Sequence, residues 1–160
     1  MTVLRELSRK NNQLSKEECL QVLKSETRGV LSVIGDEGYP YGMPMNHLYD
    51  DDGCIYFHCG KNGGHRLDAL KKCSKVCFTI FTKGEAMDSE WALKVKSVIV
   101  FGRISIIYDQ KTVNDISIKL SHKFTSDDEY IKKEIELYAK NTVILKLVPD
   151  HICGKLVTES

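Results

Sequence analysis

Between Gly29 and Val157 the chain repeats one device: a short β-rich run, a tight turn, and another β-rich run. Gly29 to Ile34 leads into Gly35-Asp36-Glu37-Gly38, Tyr39 to Tyr49 into Asp50-Asp51-Asp52-Gly53, and Cys54 to Cys59 follows. Both turns carry the Asp and Gly residues that tight reversals need. One short helix, His65 to Lys72, separates these runs from Val76 to Phe81 and Ala92 to Tyr108. Successive parallel strands require a crossover of about a dozen residues or more, and the turns here are far shorter. The order therefore argues against a doubly wound sheet. It predicts an α+β protein built on an antiparallel β-barrel with peripheral helices.

Local signals refine this plan. Ser15 and Glu18 form the S-x-x-E pattern that opens a helix over Lys16 to Ser25, with Cys19, Leu20 and Leu23 as its apolar stripe. Pro40 and Pro44 cannot donate to a ladder, which puts Tyr39 to Tyr49 at a sheet edge or a bulge. Val76 to Phe81 is apolar on both faces and reads as a central strand. Gly102 marks a bend in the long Ala92 to Tyr108 strand. Val113, Ile116, Leu120 and Phe124 mark one helix; Ile131, Ile135 and Tyr138 mark a second, starting after Asp127 and Asp128. Thr142 to Val148 and Ile152 to Val157 are the closing strands. The 160 residues are expected to form a single domain, with 1–14 as an N-terminal arm and 110–141 as a helical insertion.

Charge narrows the function. Lys and Arg total 23 against 22 Asp and Glu, a net charge of +1, which argues against a nucleic-acid or anionic-membrane surface. Met1 to Gln13 is polar and no apolar run approaches the ~20 residues of a membrane span, so the protein is expected to be cytoplasmic. Six cysteines without a C-x-x-C spacing read as small buried hydrophobes. Cys54, His58, Cys59 and His65 are of metal-ligand types, but they lack the paired spacing of a closed zinc site. Asp50 to Asp52 lack the ligand spacing of a calcium loop and read as a turn.

The chemistry concentrates between Ile55 and Asp68, where a strand, a glycine-containing loop and a helix start follow one another. A helix N-terminus presents unpaired N–H groups and partial positive charge. Gly60, Gly63 and Gly64 would let backbone approach a ligand, and Lys61, His65 and Arg66 add cationic side chains. This combination suits a phosphate. It is neither a P-loop nor a Rossmann fingerprint. The competing reading is an ordinary solvated turn.

Several motifs in order carry a resemblance: Arg28-Gly29-Val30-Leu31-Ser32-Val33, Gly38 to Asn46 with its Met43-Pro44-Met45-Asn46 end, Ile55 to Cys59, the loop to Arg66, and Lys96 to Gly102. Together they resemble the flavin-binding split-barrel family related to pyridoxamine 5′-phosphate oxidase, in its nitroimidazole-resistance (Nim-type) branch. The resemblance implies a homodimer of split barrels holding FMN at the subunit interface. Met43, Pro44, Met45 and Asn46 would then run along the isoalloxazine ring. Tyr56, Phe57, His58 and Cys59 would lie beside the ribityl chain and ring. Lys61, Gly64, His65 and Arg66 would surround the phosphate. Lys96 and Ser97 match a strand that approaches the flavin in relatives, with the second subunit as one source. Trp91 would cover the ring or pack at the rim. His58 would donate a proton to a bound substrate, or simply bond a backbone group as a strand histidine. His47 would be structural or rim-exposed, and His122 and His151 surface residues.

No Trp follows Trp91, so the Arg-, Pro- and Trp-rich segment with which pyridoxamine phosphate oxidases hold their substrate is missing, and vitamin B6 oxidation is disfavoured. The expected function is an FMN-dependent oxidoreductase that takes electrons from a donor such as NAD(P)H and reduces a small aromatic or nitro-aromatic molecule. The alternatives are a flavin carrier or redox sensor, a haem-binding split barrel, and a deazaflavin protein.

Overall fold

A computed structural model describes residue 4, residues 7–86 and residues 91–159. Part of the expected N-terminal arm, residues 1–3, 5 and 6, lies outside the described residues. The first helix, α1 (Lys16–Ser25), has the expected bounds. Its capping box is complete: the Glu18 N–H donates to Ser15 Oγ (3.1 Å) and the Ser15 N–H to Glu18 Oε2 (2.9 Å).

The strands are β1 (Arg28–Ile34), β2 (Pro40–Asn46), β3 (Leu48–Tyr49), β4 (Ile55–Gly60), β5 (Lys75–Phe81), β6 (Glu85–Ala86), β7 (Leu93–Ile107) and β8 (Thr142–Glu159). Helix α2 (His65–Lys72) joins β4 to β5, and α3 (Gln110–Ser121) and α4 (Asp128–Tyr138) join β7 to β8. All pairings are antiparallel, in the order β2-β1-β5-β7-β8-β4-β3, with β6 on β7. β2 is an edge strand, as its two prolines require, and β5 is central. The β1–β2 turn has Glu37 and Gly38 at φ 55° and 76°, the left-handed pair that suits a two-residue hairpin.

The extended run Tyr39 to Tyr49 splits at His47, contrary to the single strand expected. Before His47 the chain pairs with β1 at one sheet edge; after it, with β4 at the other. One residue thus carries the chain from edge to edge and curls the sheet into a half-barrel. His47 is fully buried at this corner, not at a rim. Its N–H donates to the Thr27 carbonyl (3.2 Å), Nε2 lies 2.7 Å from the Leu23 carbonyl oxygen, and its ring meets Phe78 at 5.0 Å.

The closing segment differs too. One 18-residue strand replaces the two expected. The register slips between Phe101 and Gly102, whose partners are His151 and Pro149, so the extra residue is Asp150 on β8 rather than one on β7. Pro149 interrupts nothing because the ladder is already broken there. Gly102 remains necessary: a Cβ would run into the Val148 carbonyl oxygen and lie 2.9 Å from a Leu147 methyl.

The main core lies inside the curl, where Leu31, Phe57, Phe78, Ile80, Val98, Leu145 and Leu147 meet Leu23 of α1 and Leu67 of α2. A smaller cluster forms on the outer side of β4 and β8. There Cys54, Tyr56 and Ile144 pack under Val113 and Ile116 of α3. Helix α3 stops at Ser121, and Lys123 and Phe124 close back onto Leu120 and Ser121 as turns. Phe124, expected on the buried stripe, is therefore half exposed. Asp127 caps α4, which begins at Asp128, one residue earlier than expected. Tyr138, the last residue of its expected stripe, is mostly exposed.

Candidate functional site

Strand alternation sorts the expected site residues. Met43, Met45, Phe57 and Cys59 point into the main core. Pro44 is exposed on the opposite face of β2, beside the half-exposed Asn46, whose Oδ1 accepts from Arg28 Nε at 3.0 Å. Tyr56 is buried under α3, and its hydroxyl donates to Asp52 Oδ2 at 2.6 Å. Burial alone would raise the Asp52 carboxyl, but Tyr56, the Cys54 N–H and Lys146 outweigh it and lower it to about 2. Asp52 thereby anchors the turn. Cys54 and Cys59 enter different clusters, so the four metal-type residues diverge rather than converge.

His58 stands on the outer face of β4 and is exposed on one side. The protein around it still withholds enough water to pull the imidazole below its ordinary range, and the Arg66 charge acts in the same direction. The ring is therefore neutral at pH 7. It offers one N–H and one acceptor nitrogen.

The loop after β4 is pinned at its start, where the Lys61 N–H donates to the Asn141 carbonyl at 2.7 Å. Gly63 and Gly64 take φ of 86° and 101°, which side-chain-bearing residues rarely adopt. Nothing lies within 4 Å of where a Cβ would stand on Gly60, Gly63 or Gly64, so the backbone is open to an approaching group. Gly64 is the N-cap of α2 and supplies no side-chain cap, leaving the first amides of the helix to an external acceptor.

Arg66 is the informative cation. It is half-buried, its Nε lies 3.1 Å from Met43 Sδ, and its charge acts on the neighbouring Cys59 thiol, opposing the rise that burial causes there. No carboxylate pairs with it or with Lys61 among the described residues, although many other cations of the chain are paired. A half-buried guanidinium bonded, among the described residues, to one thioether retains donors for an anion.

His65 is engaged elsewhere. Its ring stacks on Tyr41 (4.3 Å, 9°), and its Nε2 accepts from the Asp36 N–H at 3.2 Å. Lys96 pairs with Glu18 of α1 at 3.4 Å. The β8 partner of Lys96 is Leu156, and that of His58 is Ile144. Twelve positions of strand, roughly 40 Å if straight, separate the two. Within one chain, then, Arg66 gathers Met43, His58 and Cys59 around the loop of Lys61 and Gly64, Asn46 pairs instead with Arg28 on the other face of β2 beside Pro44, and Lys96 and Ser97 lie far along the sheet. Trp91 is exposed, as is His122, while His151 is half-buried.

Two features escaped the sequence. Met43 supports Arg66 from the core side, a role no spacing announces. The way α4 returns over β4 sets Tyr130, Glu134 and Tyr138 around the same cavity as His58, some 75 positions away in the chain.

A family profile described as pyridoxamine 5′-phosphate oxidase matches residues 15–156. No functionally curated protein matches the sequence. Among solved structures, a candidate 5-nitroimidazole antibiotic resistance protein from Bacteroides thetaiotaomicron superposes with a TM-score of 0.75 at 19% identity, covering 91% of this chain and 87% of that one. A conserved hypothetical protein from Mycobacterium tuberculosis gives 0.78 at 18% identity, covering 94% and 90%. An FAD-binding protein from Mesorhizobium loti gives 0.65 at 20% identity, covering 91% and 96%. These likenesses establish the fold.

Proposed function

The chain belongs to the pyridoxamine 5′-phosphate oxidase family of flavin-binding split barrels, and from that premise we propose that it binds FMN as a homodimer and acts as a flavin-dependent oxidoreductase on a small aromatic substrate. The observation that carries the reading is the pair of cations, Arg66 and Lys61, without carboxylate partners among the described residues, beside the uncapped, glycine-led N-terminus of α2. That donor set fits a terminal phosphate: a guanidinium, an ammonium and free amides at the positive end of a helix. A bound flavin would supply the redox chemistry. The chain's own residues bind, orient and exclude water.

Arg66 would hold the phosphate, with Met43 fixing the direction of its guanidinium. Pro44 and Asn46 would offer a flat, exposed edge-strand surface to the ring. His58, neutral at pH 7, would accept a proton or hydrogen bond from a reactant more readily than deliver a proton from an imidazolium. The outer face of β1, β5 and β7 suits a dimer contact, because it exposes Ile34 (50%) and Phe81 (61%) beside the partly buried Val30, Ile99 and Phe101. A second copy seated there would be the source of any strand that completes the site, Lys96 and Ser97 included.

The test is titration of the protein with FMN and with riboflavin, followed by flavin fluorescence. FMN should bind more tightly than riboflavin. Arg66→Ala should weaken FMN by roughly ten- to a hundredfold, the worth of a charge-assisted hydrogen bond, and leave riboflavin nearly unchanged. Unchanged FMN affinity in Arg66→Ala would remove the phosphate from this loop.

A further inference from the structure

A cavity of about 350 Å³ opens between α3, α4 and β4, with His58 on its floor. Its volume falls within the roughly 300–1,000 Å³ of small-molecule pockets. Three rings stand around it: Phe124 from the turn after α3, and Tyr130 and Tyr138 from the two ends of α4. All three are about half exposed or more, at 48%, 53% and 59%, although they lie beside a recess that could have been filled by them. The backbone that carries these rings is fixed at two of them. Phe124 is held by turn hydrogen bonds onto Ser121, and the Tyr130 N–H donates to Asp127 Oδ1 at 3.0 Å. His122 and Asp128 pair at 3.5 Å across the connection.

Two polar groups lining this cavity have no protein partner among the described residues. Glu134 is half-buried and takes part in no hydrogen bond or ion pair. Ser117 is buried at 7% exposure, and its hydroxyl makes no hydrogen bond, not even back to its own helix. Neither group is sealed inside the protein, so the carboxylate and the hydroxyl are both free to bond a ligand seated in the cavity. Rings with negative faces around an unpaired carboxylate favour a flat cation, by stacking, cation–π attraction and charge pairing together.

We propose that the α3–α4 cap and β4 form a binding pocket for a small planar aromatic cation, a ring bearing a protonated amine or amidine. Glu134 pairs with the cationic group, Phe124, Tyr130 and Tyr138 enclose the ring, and the Ser117 hydroxyl bonds a ring or amine nitrogen. His58 forms the floor as a neutral imidazole. The pocket needs no flavin to exist; only the further step, that its ligand is the redox substrate, rests on the flavin reading, since His58 is shared by both.

The experiment titrates the full chain, with and without FMN, with tryptamine and with indole-3-propionate, which join the same ring to a cation and to an anion. Calorimetry gives affinity, and NMR shifts of assigned amides give location. Tryptamine should bind with shifts confined to β4, α3 and α4, and indole-3-propionate should bind at least about tenfold more weakly. Glu134→Gln should lower tryptamine affinity by about tenfold and erase the preference between the two ligands. Equal binding of the two probes, shifts mapping elsewhere, or an unaltered Glu134→Gln variant would each overturn the proposal. Should that variant fail to fold, the preference shown by the wild-type protein decides. The two readings fail separately: tryptamine binding without FMN binding refutes the flavin reading alone, and FMN binding without tryptamine binding refutes the pocket alone.

Discussion

His47 ties the stability of the half-barrel to pH in a way that can be calculated. The residue is fully buried at the corner where the chain crosses between sheet edges, and its Nδ1 has no partner. Burial pulls its pKa from 6.5 to about 4, and the neighbouring Lys123 charge adds to this, against the opposing hydrogen bonds at Leu23 and Thr27. The folded pKa lies below the unfolded one. The unfolded chain therefore takes up a proton first as pH falls, and the stability that neutral His47 confers above pH 6.5 is lost progressively down to about pH 4. Between pH 7 and 5 the loss should be about 2 kcal/mol from this residue. Carboxylates with ordinary or lowered pKa values titrate below most of that window. Burial lowers His58 as well, with the same sign, so a difference between variants isolates His47. In His47→Gln the amide can still donate to the Leu23 carbonyl but does not titrate. Urea unfolding of both proteins at pH 7 and 5 measures the contrast. The wild type should lose about 2 kcal/mol more than the variant. Equal losses, or a His47 ring that titrates near pH 6.5 by NMR in the folded protein, would refute the reasoning.

Two further predictions concern stability. Gly102→Ala should cost on the order of 1–3 kcal/mol by forcing the β7–β8 bend apart, whereas Gly60→Ala, facing open space, should stay within about 0.5 kcal/mol; denaturant midpoints compare them. Ser15→Ala breaks the capping box of α1 and should cost about 1 kcal/mol in the same assay, with Ser15→Asp recovering most of it.

The parts of the fold that were legible in the sequence are those decided locally. The capping box placed α1 and the glycine turn placed α2, because a helix start is written within four residues. Pro40 and Pro44 placed β2 at an edge because a missing donor has few other homes. What stayed hidden depends on distant partners. Splitting Tyr39 to Tyr49 at His47 depends on two different strands claiming its halves. The continuity of β8 through Pro149 depends on a bulge facing Gly102, a residue 47 positions away. At the site, composition pointed to the cationic loop. Only packing reveals that His65 is occupied by Tyr41 and Asp36 while Arg66 is left to sulfur. Tyr138 was expected on the buried stripe of α4, and only the topology sets it with Tyr130 and Glu134 around the cavity that His58 lines.

The most direct test of the central claim is the absorption spectrum of the freshly purified protein, with any released chromophore identified by mass. The account predicts flavin bands near ~370 and ~450 nm and release of FMN. Protein that is colourless, and that also fails to bind added FMN, would contradict it and return the loop from Gly60 to Gly64 to an ordinary turn.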